Sequence, residues 1–228
     1  MNDSIVDKYW RGLLVQSSTC QRCNDHSSSF QVSDITTLGI PDENQNLESM
    51  LADYTALEIP EGFKCEACGV VGRERKLSFA RFPDRFAVAF QRFQRDFKTA
   101  TVSKIGHRIS FPIRDLDLTP YWLGPRDRAI DNDDAAAAVS REDRHFRGPF
   151  TYDCYAVICH IGSSLVSGHY IAYVKDQKSA DPTDWIKYND SRVTRVKVGT
   201  RGKDDNLEYM YGVGDQQAYM VFYKRQGA

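Results

Sequence analysis

Residues 152–193 read YDCYAVICHIGSSLVSGHYIAYVKDQKSADPTDWIKYNDSRV, and their reading decides the fold. Apolar runs at 152–158 and 169–174 flank a turn-rich segment. A polar loop follows, and then a third run at 185–188. Alternation within each run predicts strands, with Tyr152, Cys154, Ala156 and Ile158 on one face. Ser167 and Gly168 place His169 at the start of the second strand, directly after a residue that permits close backbone approach. Asn189 and Asp190 close the third run, so a neighbouring strand can deliver an amide or a carboxylate to the His169 imidazole. A base with an orienting group is half of a nucleophilic hydrolase site. A lone histidine at a strand end is most often structural or simply exposed. Gly168-His169-Tyr170, an aromatic run and then Asn189-Asp190 form a more specific combination.

The chain has 228 residues, enough for one sizeable core in one or two domains. Lys plus Arg number 30 and Asp plus Glu 31, a net charge of -1 that argues against a nucleic-acid partner. No apolar run approaches the roughly 18 residues of a membrane span, which argues against a membrane. The opening MNDSIVDKYW lacks the basic-then-apolar order of a secretory signal. The expected setting is intracellular, cytoplasmic or nuclear.

Four of the six cysteines form two Cys-x-x-Cys pairs, Cys20 with Cys23 and Cys65 with Cys68, each between predicted strands. Without a secretory signal, metal is a better reading of this spacing than a disulfide framework. Two knuckles brought together by folding supply four thiolates, the donor set of a tetrahedral structural zinc, and leave no position for a catalytic water. One pair alone is a weak signal. His26 is a nearby alternative ligand that four cysteines make unnecessary.

Leu47, Met50, Leu51 and Tyr54 recur at helical spacing behind Asn46. They predict a short helix over 47–56, with Asn46 as N-cap and the apolar stripe facing the core. FAVAFQRF at 86–93 is almost continuously apolar and predicts a central strand. Residues 122–149 carry charge blocks around four alanines and predict a surface excursion. Residues 195–205 are expected to form a charged linker, and YMVFY at 219–223 a final short strand.

These residues resemble the ubiquitin-specific proteases, a family of cysteine deubiquitinases. The family's histidine box runs approximately Tyr-x-Leu-x-Ala-Val, His-x-Gly, Gly-His-Tyr-x-x-Tyr and Trp-x-x-Tyr/Phe-Asn/Asp-Asp-Ser-x-Val. Tyr152, Ala156-Val157, His160, Gly162, Gly168-His169-Tyr170, Tyr173, Trp185, Tyr188-Asn189-Asp190-Ser191 and Val193 fill those places. Cys154 stands where the family usually has Leu. Tyr9, Trp10 and Gly12 match the lead into the first cysteine pair, Arg92-Phe93 the end of a family strand, and Lys104 through Phe111-Pro112 the strand after it.

The resemblance implies an α+β, mainly β, papain-like fold. Zinc-ribbon fingers with a short helix would occupy 5–80, a palm sheet 81–121 and 150–223, and a surface insertion 122–149. It implies that His169 is the general base, that Asn189 orients it, and that Asp190 supports the oxyanion or the attacking geometry. Gly168, Tyr170 and His160 would line the groove for ubiquitin's extended tail. Zn2+ would sit on Cys20, Cys23, Cys65 and Cys68, and the partner would be ubiquitin or a ubiquitinated protein.

The family's nucleophile lies in an N-terminal box, approximately Gly-x-Thr-Cys-Tyr, and that string does not occur here. The resemblance covers 9–223, corresponding to the later two-thirds of the domain. The helical thumb that carries the nucleophile is expected to be largely missing, or supplied by another chain or segment. Cys154 reads as a buried small hydrophobe and Cys159 as the more exposed of the two, neither as the nucleophile. Three readings follow. The chain is part of a deubiquitinase and does not cleave alone, or it is a catalytically dead ubiquitin-binding module, or it is a structural zinc-ribbon protein. The His169, Asn189 and Asp190 set argues against the last, because a scaffold has no chemical need for it.

Overall fold

A computed structural model of the chain describes residues 4–95, 101–123, 144–164, 167–200 and 205–228. In chain order, helix α1 (Ile5–Tyr9) leads into β1 (Gly12–Cys20), β2 (His26–Ser33), β3 (Thr36–Gly39) and β4 (Gln45–Asn46). Helix α2 (Leu47–Tyr54) follows, then β5 (Leu57–Glu58), β6 (Arg73–Arg81), β7 (Arg85–Gln91) and β8 (Phe93–Arg95). Next come β9 (Val102–Lys104), β10 (Ile109–Ser110) and β11 (Leu116–Asp117), and then β12 (Thr151–Ile161), β13 (His169–Lys175), β14 (Asp184–Asn189) and β15 (Arg192–Lys197). Helix α3 (Leu207–Tyr211) and β16 (Gln216–Arg225) end the chain. The fold is mainly β with short helices, as the sequence predicts.

Two sheets carry the architecture. A four-stranded sheet has the order β2-β1-β6-β5. A larger eight-stranded sheet runs β15-β14-β13-β12-β16-β7-β3, with β11 pairing β12. The two share one core. Leu14 of β1 and Phe79 of β6 are buried with Phe82, Phe86, Phe150 and Tyr152. Phe79 stacks on Phe82 at 4.6 Å, and Phe82 meets Phe150 at 4.7 Å. Such aromatic contacts add to the area they remove from water.

The predicted helix is present as α2. Asn46 caps it, its Oδ1 accepting from the Ser49 N–H at 2.8 Å, and Leu47, Met50 and Leu51 are buried in the main core. The apolar 86–93 run places β7 between β16 and β3, with both faces largely covered. Three local expectations fail. Residues 195–197, expected to open a linker, instead belong to β15, which pairs with β14 from Asn189 opposite Arg192 to Asp184 opposite Lys197. The closing strand, which pairs within the sheet between β12 and β7, spans Gln216–Arg225 and not 219–223 alone.

The third failure is in β12. Tyr152 and Cys154 are buried as expected, but the buried face then passes to Val157 and Cys159 rather than Ala156 and Ile158. The register against β16 shifts between Cys154 and Ala156. A bulge inserts one residue and exchanges the two faces, which strict alternation does not anticipate. The predicted excursion at 122–149 falls largely outside the described residues.

Candidate active site and cysteine cluster

The β12–β13–β14 meander brings His169 and Asn189 together. His169 opens β13 opposite Ile161. Ala172 lies opposite Tyr188, which sets Asn189 diagonal to His169 on the same face. His169 Nε2 is 2.5 Å from Asn189 Oδ1, and Asp190 Oδ2 lies 3.9 Å from the same nitrogen. Asp190 and Ser191 form the two-residue turn into β15, and Asp190 takes φ +50°, a left-handed conformation that Asp tolerates.

This geometry has a chemical direction. An amide oxygen only accepts, so Nε2 carries the ring hydrogen and donates it to Asn189. The Asp190 carboxylate favours the same tautomer. Nδ1 keeps its lone pair and is the nitrogen left free to take a proton. The His169 side chain is 39% exposed, so the ring is open to solvent.

Gly168 earns its place by contact. A Cβ there would overlap His160 Nε2 and lie 2.9 Å from the Ile161 carbonyl oxygen. His160 is buried beneath it. Burial and the Lys104 charge hold the His160 imidazole below its usual pKa, so it is neutral. Its ring meets Tyr170 edge-on at 4.9 Å and Phe93 at 5.4 Å. Tyr170 is half exposed and packs against Tyr219 at 5.7 Å. An aromatic shelf with His160 as its underside thus adjoins His169. Concavities of about 470 Å³, beside Lys197 and Asp205, and about 550 Å³, beside Lys175 and Lys224, lie elsewhere and do not include His169 or Asn189.

Cys159 is buried, against the expectation that it is the more exposed of the pair. Burial pushes its thiol up to about 12 and drives that of Cys154 well above the ordinary thiol range. Neither supplies a thiolate at neutral pH.

The four paired cysteines converge. Their Sγ atoms all lie within 4.8 Å of one another, with Cys20 to Cys68 and Cys23 to Cys65 each at 3.7 Å. A tetrahedral site with metal–sulfur bonds of about 2.3 Å has sulfur–sulfur edges of about 3.8 Å, so this cluster can hold a metal ion. The two knuckles share one backbone design. Asn24 and Gly69, each following the second cysteine, take left-handed φ of 56° and 71°. Their N–H groups donate to the Cys20 and Cys65 carbonyls at 3.0 and 2.8 Å.

Charge fits as well. The N–H groups of Cys23 and Arg22 draw the Cys20 thiol down to about 6. At Cys23 the Asp25 N–H acts the same way, but burial and the neighbouring thiols outweigh it and push that thiol up to about 12. Crowded thiolates of this kind call for a cation among them. Arg73 lies buried beside them, donating to Asp25 Oδ2 at 2.6 Å, Ser18 Oγ at 2.7 Å, Ser27 Oγ at 2.8 Å and Cys65 Sγ at 3.6 Å. His26 does not join the cluster and bonds Thr19 instead, at 3.0 Å. Sequence reasoning passes over Arg73, because nothing local distinguishes it from the other arginines of β6.

Comparison with known proteins gives the family. Residues 1–223 match the family described as Ubiquitin carboxyl-terminal hydrolase. The chain is 29% identical to Ubiquitin carboxyl-terminal hydrolase 21 of Arabidopsis thaliana over 226 residues, covering 98% of this chain and 26% of that protein. It is 27% identical to Ubiquitin carboxyl-terminal hydrolase 4 of Saccharomyces cerevisiae over 233 residues, covering 97% and 22%. It therefore spans about a quarter of the length of these relatives. Among solved structures, the SAGA Ubp8/Sgf11/Sus1/Sgf73 DUB module bound to ubiquitin aldehyde aligns with a TM-score of 0.74 at 21% identity, over 99% of this chain and 43% of that one. A structure of the yeast SAGA DUBm gives 0.75, over 100% and 43%. That likeness establishes a shared fold, and the match over 1–223 establishes more: this chain belongs to the ubiquitin carboxyl-terminal hydrolase family.

Proposed function

We propose that this chain provides the base-bearing and ubiquitin-holding part of a cysteine deubiquitinase, acting on isopeptide or peptide bonds at the ubiquitin C-terminus. The observation that carries the reading is the 2.5 Å contact between His169 Nε2 and Asn189 Oδ1. It fixes the ring so that Nδ1 is the proton acceptor. His169 takes the proton from an attacking thiol and returns it to the leaving amine, while Asn189 holds the tautomer through both steps. Asp190, next to the ring, supports the imidazolium that forms in between. Gly168 and Tyr170 border the groove for an extended, glycine-rich tail, with His160 beneath them.

Within this reading the four-stranded sheet with its two knuckles serves as fingers, and the eight-stranded sheet as palm. Cys20, Cys23, Cys65 and Cys68 hold a structural Zn2+, which supplies folding energy to the fingers and no catalytic water. The thiol is brought by another segment or chain, since Cys154 and Cys159 are buried and protonated. The setting is intracellular.

Calorimetric titration of the zinc-loaded chain with ubiquitin, with fluorogenic ubiquitin hydrolysis measured on the same sample, tests this. Saturable binding without turnover is expected. A folded, zinc-containing sample that neither binds nor cleaves would remove the reading. Turnover that survives repurification and is lost in Cys154→Ala or Cys159→Ala would place the nucleophile inside this chain, against the account.

A further inference from the structure

Lys104 stands apart from the other lysines. Its Nζ donates to three backbone carbonyls: His160 at 3.0 Å, Gly162 at 2.7 Å and Asp215 at 2.9 Å. An ammonium has three N–H donors, and all three are used on peptide oxygens. Burial and the neighbouring Arg92 charge pull Lys104 down to about 8, opposed by Asp215. Holding a cation here is unfavourable unless the three bonds fix something that matters.

What they fix is the seat of His169. His160 and Gly162 bracket the end of β12, and Asp215 leads into β16. Gly162 N–H also reaches the Asp215 carbonyl at 3.3 Å. Gly162 and Gly168 lie back to back, so that a Cβ on Gly162 would sit 3.2 Å from Gly168 Cα and 3.3 Å from the Ser167 carbonyl oxygen. Gly168 rests in turn on the His160 ring and the Ile161 carbonyl. His169 is the next residue. Lys104 also closes the β8–β9 hairpin opposite Phe93, whose ring covers His160. A line of contacts therefore runs from the ammonium through His160 and Gly162 to Gly168 and His169.

We infer that Lys104 is a positioning residue, a three-way clamp on His160, Gly162 and Asp215 that holds the Gly168–His169 backbone where Nε2 meets Asn189. The clamp acts through backbone and touches neither substrate nor the imidazole. It rests on the reading of His169 as a base only for the purpose it serves.

The test uses the 15N-labelled, zinc-loaded chain with Lys104→Met, Lys104→Arg and the distant control Lys197→Met. Arg keeps the charge, but its planar fork spreads the N–H donors over three nitrogens and cannot send three from one atom to three carbonyls. Two readouts report on the clamp: the tautomer of the His169 ring from its 15N shifts, and amide exchange at Gly162, Gly168 and His169. In wild type and Lys197→Met, the Nε2–H tautomer dominates. In both Lys104 variants the tautomers mix and exchange at the three amides rises about tenfold or more, while zinc content is retained. Wild-type tautomer and protection in Lys104→Met would overturn the inference. So would global unfolding of both variants, which would make Lys104 a folding residue. Ubiquitin titration of the same samples separates the two claims. A His169 that is ordered in wild type and loses its tautomer preference in both Lys104 variants, with no ubiquitin binding by any of them, counts against the proposed function and supports the clamp. Ubiquitin binding with His169 unmoved in Lys104→Met does the reverse.

Discussion

Gly168 lies against the His160 imidazole so closely that no other residue fits: an added Cβ overlaps Nε2 and comes within 2.9 Å of the Ile161 carbonyl oxygen. The obstruction includes backbone and a buried ring, so no flexible side chain can yield. Gly168→Ala is expected to cost about 1–3 kcal/mol of unfolding free energy, as overpacking does. It should also displace His169 from Asn189. Urea unfolding together with the His169 ring 15N spectrum checks this. A wild-type spectrum in a stable Gly168→Ala chain would contradict it.

Asn189 Oδ1 meets His169 Nε2, and in the proposed function it orients the ring. Asn189→Ala should abolish the preference for the Nε2–H tautomer. It should change ubiquitin affinity by no more than about threefold, because Asn189 is a small polar side chain already engaged by the His169 ring and not a large aromatic or arginine anchor. Ring 15N shifts read the first effect and calorimetry the second. A large loss of affinity with the tautomer intact would assign Asn189 to binding instead.

Arg73 supports the cysteine cluster from beneath, through Asp25, Ser18, Ser27 and Cys65. Arg73→Met should weaken metal affinity about 10–100-fold, the usual effect of removing a group that orients and charge-balances metal ligands. Competition against a chromophoric chelator measures it. Stripping the metal altogether should melt the 20–26 and 63–72 knuckles, seen as fast amide exchange there, before the eight-stranded sheet.

Lys197 bridges Asp181 at 2.7 Å and Asp184 at 2.6 Å on the outer hairpin. Its hydrogen bonds hold both carboxyls below their usual pKa, and Asp181 and then Asp184 raise the lysine in return. For the carboxylates, the folded state binds protons less readily than the unfolded one. Their stabilisation is present above about pH 4 and fades as the pH falls below that. The lysine's share is present below about pH 10.4 and is lost as the pH rises through its raised value. The stability gap between wild type and Lys197→Met should be present at about pH 6 and narrow markedly by about pH 2. Because these groups are exposed, it should also shrink in high salt. Urea unfolding at the two pH values decides. A gap that is undiminished in acid would assign the lysine's role to packing.

Much of the site was legible because its signals are local. Gly168 before His169, Asn189-Asp190 closing a strand, and two Cys-x-x-Cys knuckles each declare their chemistry within a few residues. The α2 stripe and its Asn46 cap are local too. Signals that depend on distant neighbours were not legible. The β12 bulge exchanges the faces of Ala156 and Val157 through pairing with β16. β15 is a charged strand whose partner, β14, decides its conformation against the pattern. Cys159 is hidden by α3, where its thiol approaches the Met210 carbonyl at 3.9 Å. The contacts of Lys104 and Arg73 come from carbonyls and a thiol that folding brings from elsewhere in the chain.

The most direct test follows His169, Tyr170 and Asn189 by NMR while the zinc-loaded chain is titrated with ubiquitin and with ubiquitin lacking its C-terminal tail. The account predicts saturable shifts at all three residues with intact ubiquitin, and loss of those shifts with the truncated form. Shifts that are the same with both forms, or binding that leaves His169 unmoved, would contradict the claim that this histidine stands where the ubiquitin tail is cut.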